Sequence, residues 1–329
     1  MKSCDRTRHP EQAERPGTRL RVMQGSPDPS DIWLLEILRG VPLRMTMIVG
    51  ILSSGCCPQQ IKHPYEGPTD PIARVIDDIN QNNQGIRTIW SRGDFKAWIP
   101  DDKGRVHFVD GEAHLMYQSA ADLRVIGNKF GVGRVFDIGS NGKQYWLTVK
   151  PEIDTMWYGD YQHASAAGAP QMPIRPDLLL EILGVGEIET DLTRQPVPVM
   201  RFNNDEDAYM LVWHVKSTTP PERWIAQKEV WYDRASKHPK LVLLFDEDGR
   251  IVLRAYLSEH KPIQNESAGS KPVIASRFDL YFPQSKTKMQ LSLDEIVARH
   301  DELPSDKSFA FPGLNAAEKI INIDEAHRD

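Results

Sequence analysis

From Ile86 to Leu293 apolar and polar residues alternate with a period of two, in short runs separated by turn residues. A strand turns successive side chains to opposite faces, so this pattern restricts the chain to a fold of antiparallel hairpins with one face buried. The run Val273–Phe282 shows it best, with Ile274, Ser276, Phe278, Leu280 and Phe282 against Val273, Ala275, Arg277, Asp279 and Tyr281. In 143–149, Tyr145, Leu147 and Val149 oppose Gln144, Trp146 and Thr148. Further runs lie at 86–90, 94–99, 105–109, 113–117, 122–126, 135–138, 209–215, 224–232, 241–245, 251–257 and 288–293. Asp110-Gly111, Ser140-Asn141-Gly142 and Asp246-Glu247-Asp248-Gly249 read as hairpin turns between neighbouring runs.

Two segments carry a helical period instead. Ile72, Val75, Ile76 and Ile79 form one apolar stripe, with Asp70 as candidate N-cap and Pro71 at the first helical position. Residues 177–183 form a short apolar helix within a polar, proline-rich stretch. An apolar helix beside a sheet covers its concave face. The pattern predicts a mainly β chain with few helices (α+β), an antiparallel meander curling into a barrel or a strongly bent sheet; the expected fold class is an unclosed half-barrel covered by short helices. Such a half-barrel encloses a mostly apolar cavity, the kind of space in which barrels hold ligands.

Cysteine usage points to a compartment. The chain has three cysteines, Cys4, Cys56 and Cys57, and none from Pro58 onward. Arg44 and the apolar run 45–52 precede Ser53-Ser54-Gly55-Cys56, which reads as an export signal ending in a lipoprotein cleavage site, although Ser53 stands where leucine is usual. Cys56 is then the acylated first residue of the mature protein. The eight-residue run 45–52 is far short of the roughly 20 residues a spanning helix needs. The arginine- and proline-rich stretch ahead of it places the expected translation start near Val41 or Met45. The expected organisation is 1–55 as N-terminal extension and signal, 56–69 as a lipidated tether, and 70–329 as one half-barrel domain. The expected location is the bacterial cell envelope, lipid-anchored, at the outer membrane facing the periplasm.

Charge and motifs narrow the function. Net charge is −6, with no basic excess for nucleic acid. Gly131-Val132-Gly133 and Gly184-Val185-Gly186 lack the third glycine of a dinucleotide fingerprint, and Walker A, His-Glu-x-x-His and Gly-x-Ser-x-Gly sequences are missing. Ser258-Glu259-His260 reads as a surface turn and Asn203-Asn204-Asp205-Glu206-Asp207 as a solvated acidic loop. No enzyme activity, cofactor or metal is expected, and the chain is expected to be a monomer.

Several stretches carry a family likeness. Leu123-Arg124-Val125-Ile126 with Val135-Phe136-Asp137-Ile138-Gly139-Ser140-Asn141-Gly142-Lys143-Gln144-Tyr145-Trp146-Leu147 is one, and Glu229-Val230-Trp231-Tyr232-Asp233-Arg234 with Leu243-Leu244-Phe245-Asp246-Glu247-Asp248-Gly249 is another. Ser308-Phe309-Ala310-Phe311-Pro312 is a third. The chain resembles, over about 70–325, the outer-membrane lipoprotein carrier and receptor superfamily (LolA/LolB-like fold), in its acylated lipoprotein branch. The resemblance implies a half-barrel that binds a lipid or lipoprotein acyl chain, in trafficking to the outer membrane. Alternation then selects Ile72, Ile76, Phe136, Trp146, Leu179, Leu180, Leu183, Leu211, Trp213, Phe278 and Leu280 as cavity lining. Two other readings stand beside it: an anchored scaffold with a filled barrel, and a glycan-binding module using Trp90, Trp98, Trp146, Trp157 and Trp213.

Overall fold

The computed structural model describes residues 65–324, apart from 102, 119–121, 164–171, 218–219, 265–270 and 299–305. Cys56, the signal and the tether up to residue 64 lie outside the described residues.

Helix α1 (Ile72–Asn83) comes first and is followed by six strands: β1 (Thr88–Pro100), β2 (Val106–Gln118), β3 (Asp122–Lys129), β4 (Gly133–Asn141), β5 (Gln144–Val149) and β6 (Thr155–Asp160). Helix α2 (Pro176–Leu183) separates them from β7 (Val197–Asn203), β8 (Ala208–Lys216), β9 (Trp224–Asp233), β10 (Pro239–Phe245), β11 (Ile251–Pro262), β12 (Val273–Phe282) and β13 (Thr287–Val297). A last short strand, β14 (Lys319–Asn322), ends the described chain.

All fourteen strands form one sheet, in the order β14-β6-β5-β4-β3-β2-β1-β13-β12-β11-β10-β9-β8-β7. Strand β1 lies at the middle, antiparallel to both β2 and β13. Apart from β14, which pairs parallel with β6, each arm is a run of consecutive hairpins, and α2 falls where the chain passes from the end of one arm to the end of the other. Strands β14 and β7 are the two edges and do not pair with each other. The sheet is therefore unclosed, as expected of a half-barrel.

The apolar faces of both arms form one core with the helices. Phe95, Leu115, Leu123, Ile138, Leu147, Leu211, Leu253, Phe278 and Leu291 are buried in it together with Val75, Ile76 and Ile79 of α1 and Leu179, Ile182 and Leu183 of α2. Helix α2 begins with Pro176 at its first turn and ends on Gly184 in the left-handed conformation, φ 65°, a position where a Cβ is disfavoured.

Asp110-Gly111 is not a turn. Strand β2 runs straight through it, and the β1–β2 hairpin turns at 101–105, where the Asp101 carboxylate accepts the Lys103 and Arg105 amides. Gly111 is needed for another reason. A Cβ there would stand 2.1 Å from the Asn128 carbonyl oxygen of β3. Likewise residues 88–90 of the first run and 94–99 belong to one strand, bulged at Arg92/Gly93 against β13; a Cβ on Gly93 would stand 1.8 Å from the Ser292 carbonyl oxygen. Asp70 does not cap α1; Pro71 holds that position without a side-chain bond. The Asp70 carboxylate instead accepts bonds from the Lys237 ammonium (2.8 Å) and the Tyr209 hydroxyl (3.1 Å).

Candidate functional site

The concave side of the sheet is occupied by α2. Leu179, Ile182 and Leu183 reach between the two arms to Leu115, Leu123 and Val125 on one side and Phe278, Leu280, Met289 and Leu291 on the other. The space left among these side chains is about 20 Å³, room for no more than a water-sized group. The helix thus fills the interior and does not arch over an open cavity. Ten apolar residues line this gap and no charged one does.

Space remains beside α2. A pocket of about 320 Å³ opens between the C-terminal end of α2, the segment 184–189 and strands β8–β10. Leu180, Val185, Ile188, Trp213, Val230, Tyr232 and Val242 give it apolar walls, and Glu181, Glu187, Glu189 and Lys228 stand at its rim. The Lys228 ammonium bonds the Glu181 carboxylate at 2.7 Å and lies 4.8 Å from the centre of the Trp213 ring. This contact fastens the outer side of α2 to β8 and β9. Burial, and then the Glu181 charge, raise the Tyr232 hydroxyl above its usual pKa, so it stays protonated.

Three asparagines at the end of α1 hold the elements around α2. Asn83 donates from Nδ2 to the carbonyls of Gly184 (2.9 Å) and Gly186 (2.8 Å). Asn80 and Ile188 bond reciprocally, and Asn82 bonds in the same two-point way to the backbone of Val273 at the start of β12. Buried amide side chains satisfy backbone groups that a non-regular segment would otherwise leave unpaired. At the other end of α2, Arg175 binds Asp177 through two nitrogens (3.1 and 2.6 Å). The Tyr145 and Tyr161 hydroxyls nearby are pushed up to about 12, first by burial.

Ten of the eleven residues selected from alternation lie on the concave side or against it. Leu179, Leu183, Phe278 and Leu280 meet at the filled gap, and Leu180 and Trp213 face the rim pocket. Ile76, Phe136 and Leu211 belong to the surrounding core, with Ile72 half-buried against it. Trp146 is the exception. It stands on the outer face, where its indole N–H donates to Asp137 at 3.3 Å. Asp137 also accepts from Arg124 (3.0 and 2.7 Å) and from Arg134 (2.9 Å). The chain's own C-terminal segment covers this group: Phe311 meets Trp146 edge-on at 5.7 Å, and Arg124 donates to the Ser308 carbonyl at 2.8 Å. Alternation separates the two faces of β5 correctly, but both faces are buried, so hydrophobicity alone misassigns Trp146 to the inner one.

Sequence reasoning passed over Ile182, Leu115, Met289 and Leu291 of the interior and the asparagines of α1. The polar run Asn80 to Asn83 reads as a helix end, and its burial depends on a segment about a hundred positions away.

No family model matches the chain, and no curated protein does. Among solved structures it is similar to a putative outer membrane lipoprotein-sorting protein domain from Vibrio parahaemolyticus: 11% identity, TM-score 0.44, 71% of this chain and 94% of that one. It is also similar to a LolA superfamily protein from Nitrosomonas europaea, at 13% identity and TM-score 0.41 over 72% of this chain and 96% of that one. A DUF1329 family protein from Desulfovibrio piger matches at 9% identity and TM-score 0.44, over 74% of this chain and all of that one. Among the described residues no helix is long and apolar enough to cross a membrane, and no group of three His, Cys, Asp or Glu side chains is placed to hold a metal.

Proposed function

We propose that this chain is a lipid-anchored protein of the bacterial cell envelope whose half-barrel binds a lipid or a lipoprotein acyl chain, in trafficking to the outer membrane. The observation that carries this reading is the all-apolar gap between the two arms, filled by the side chains of an eight-residue helix. A helix this short is not stable alone in water, and α2 is held by side-chain contacts at its two ends. An acyl chain entering through the rim pocket takes the place of Leu179, Ile182 and Leu183. Each methylene it buries contributes about 0.8 kcal/mol, which offsets the apolar surface that α2 gives up. The rim pocket, walled by Leu180 and Trp213, takes the part of the ligand nearest its head group.

On this reading Cys56 carries the acyl groups that fix the protein to its membrane. The protein acts as a monomer, by binding and release, without catalysis or a cofactor.

Native mass spectrometry of protein purified from bacterial cells tests the proposal. A released mass of phospholipid, fatty acid or acylated peptide is the expected result. A bare polypeptide mass, unchanged after incubation with phospholipid, sinks the proposal and favours the anchored scaffold.

A further inference from the structure

The outer face of the sheet is treated differently in its two arms. Over β4–β6 the C-terminal segment lies on it, with Phe311 against Trp146 and Tyr158. Over β7–β11 that face carries rows of apolar side chains, some of them well exposed. Met210, Trp231, Leu241 and Tyr256 stand side by side in one cross-strand row, and Val212 lies beside Val199 in the next. The alternate residues of the same strands, Leu211, Val230, Val242 and Ala255, are the ones buried in the core, so these rows face outward. Val199 is 49% exposed, Tyr256 53% and Trp224, on the same side of β9, 58%.

We propose that this face of β7–β11 is a bilayer-docking surface on which the anchored domain rests. The inference depends on the reading of Cys56 as acylated. Tyr65, the first described residue, packs edge-on against Phe202 of β7 at 5.9 Å, with the Arg234 guanidinium 3.8 Å from its ring centre. The tether therefore joins the domain at edge strand β7, on the core side where Phe202 packs, with Val199 and Arg201 of the docking face on the other side of the same strand. The nine steps from Cys56 to Tyr65 span at most about 30 Å when fully extended, which keeps β7 close to the membrane.

The chemistry of the face suits a membrane interface. Trp and Tyr settle at the head-group level, where one part of the ring is dry and the other wet. Arg201 and Arg254 flank the apolar rows in register with Met210 and Leu243, and guanidinium groups there reach lipid phosphates while their stems stay on apolar surface. Glu229 lies within the face, and its carboxylate is engaged by the Trp231 indole N–H.

The test uses the full acylated chain carrying fluorotryptophan, in vesicles of equimolar phosphatidylethanolamine and phosphatidylglycerol doped with a nitroxide-labelled lipid. Trp224→Phe and Trp231→Phe assign the two fluorine resonances. The expected result is that both vanish through paramagnetic broadening, that the Trp146 resonance persists, and that Val199→Glu with Tyr256→Glu restores the lost pair. Persistence of Trp224 and Trp231 in a chain that still floats with the vesicles overturns the docking face and leaves the anchor standing. So does broadening of Trp98 in their place, because Trp98 packs on Phe108 at 5.3 Å at a separate exposed apolar site. A chain that does not float overturns the anchor and the docking face together.

Discussion

Asn80 and Ile188 bond to each other twice: the Asn80 side-chain nitrogen donates to the Ile188 carbonyl at 2.8 Å, and the Ile188 amide donates to Asn80 Oδ1 at 2.8 Å. The amide of a helix side chain thus imitates one rung of a sheet for a segment that has no strand neighbour. Through this pair α1 fixes the chain that leaves α2.

Asn80→Ala removes both bonds and leaves a part-buried carbonyl and amide without their partner. It should destabilise the segment around Ile188 by about 1–3 kcal/mol. Hydrogen exchange at the Ile188 amide reads this directly, and unchanged protection there would contradict the assigned role.

Gly139 lies under the Trp146 ring, where a Cβ would stand 2.1 Å from the nearest ring carbon. The ring cannot retreat, because Phe311 and Arg124 close it in. Gly139→Ala should therefore lower stability by about 1–3 kcal/mol as an overpacked site. A denaturant midpoint equal to that of the parent protein would show that the C-terminal segment yields instead.

Arg124 and Asp137 form a pair with only 10% and 3% of their side chains exposed. Asp137→Leu strands the Arg124 charge in a buried site and should be destabilising by about 3–5 kcal/mol, whereas Arg124→Met combined with Asp137→Leu should recover much of that. Equal losses in the single and double variants would mean that packing, not charge, dominates the site.

His238 and His260 stack at 4.9 Å between ring centres. Burial lowers both pKa values below 6.5, and for His260 the charge of His238 adds to it. The folded state therefore favours the neutral rings, and the unfolded chain takes up protons first as pH falls. The stabilisation is complete above about pH 6.5 and is lost as acidity increases below it. The thermal midpoint should fall between about pH 8 and about pH 5, and the fall should be smaller in the variant carrying His238→Gln and His260→Gln. An equal fall in both proteins would assign the acid sensitivity to other groups.

The architecture was largely legible because alternation persists along strands with two paired neighbours. The run Val273–Phe282 coincides with β12, and the helical stripe from Ile72 to Ile79 coincides with the buried face of α1. Strands β6, β7 and β14 escaped notice for separate reasons. Thr155–Asp160 is too short to show a period, Val197–Asn203 is an edge strand interrupted by Pro198, and Lys319–Asn322 pairs parallel with β6 across a long separation in sequence. Gly111 was misleading because a glycine required by close backbone approach and one required by a turn look alike in sequence. The candidate site was legible in its residue types and not in its state. Apolarity marks Leu179 and Leu183 as facing the sheet, but only the fold shows that they fill the gap between its two arms.

Hydrogen exchange along α2, measured with and without lysophospholipid below its micelle-forming concentration, reads whether an acyl chain takes the place of the helix. The amides of 178–183 are expected to lose protection when the lipid binds, while those of β12 and β13 keep theirs. Unchanged or increased protection of α2 in a protein that has bound the lipid would contradict the exchange of helix for acyl chain.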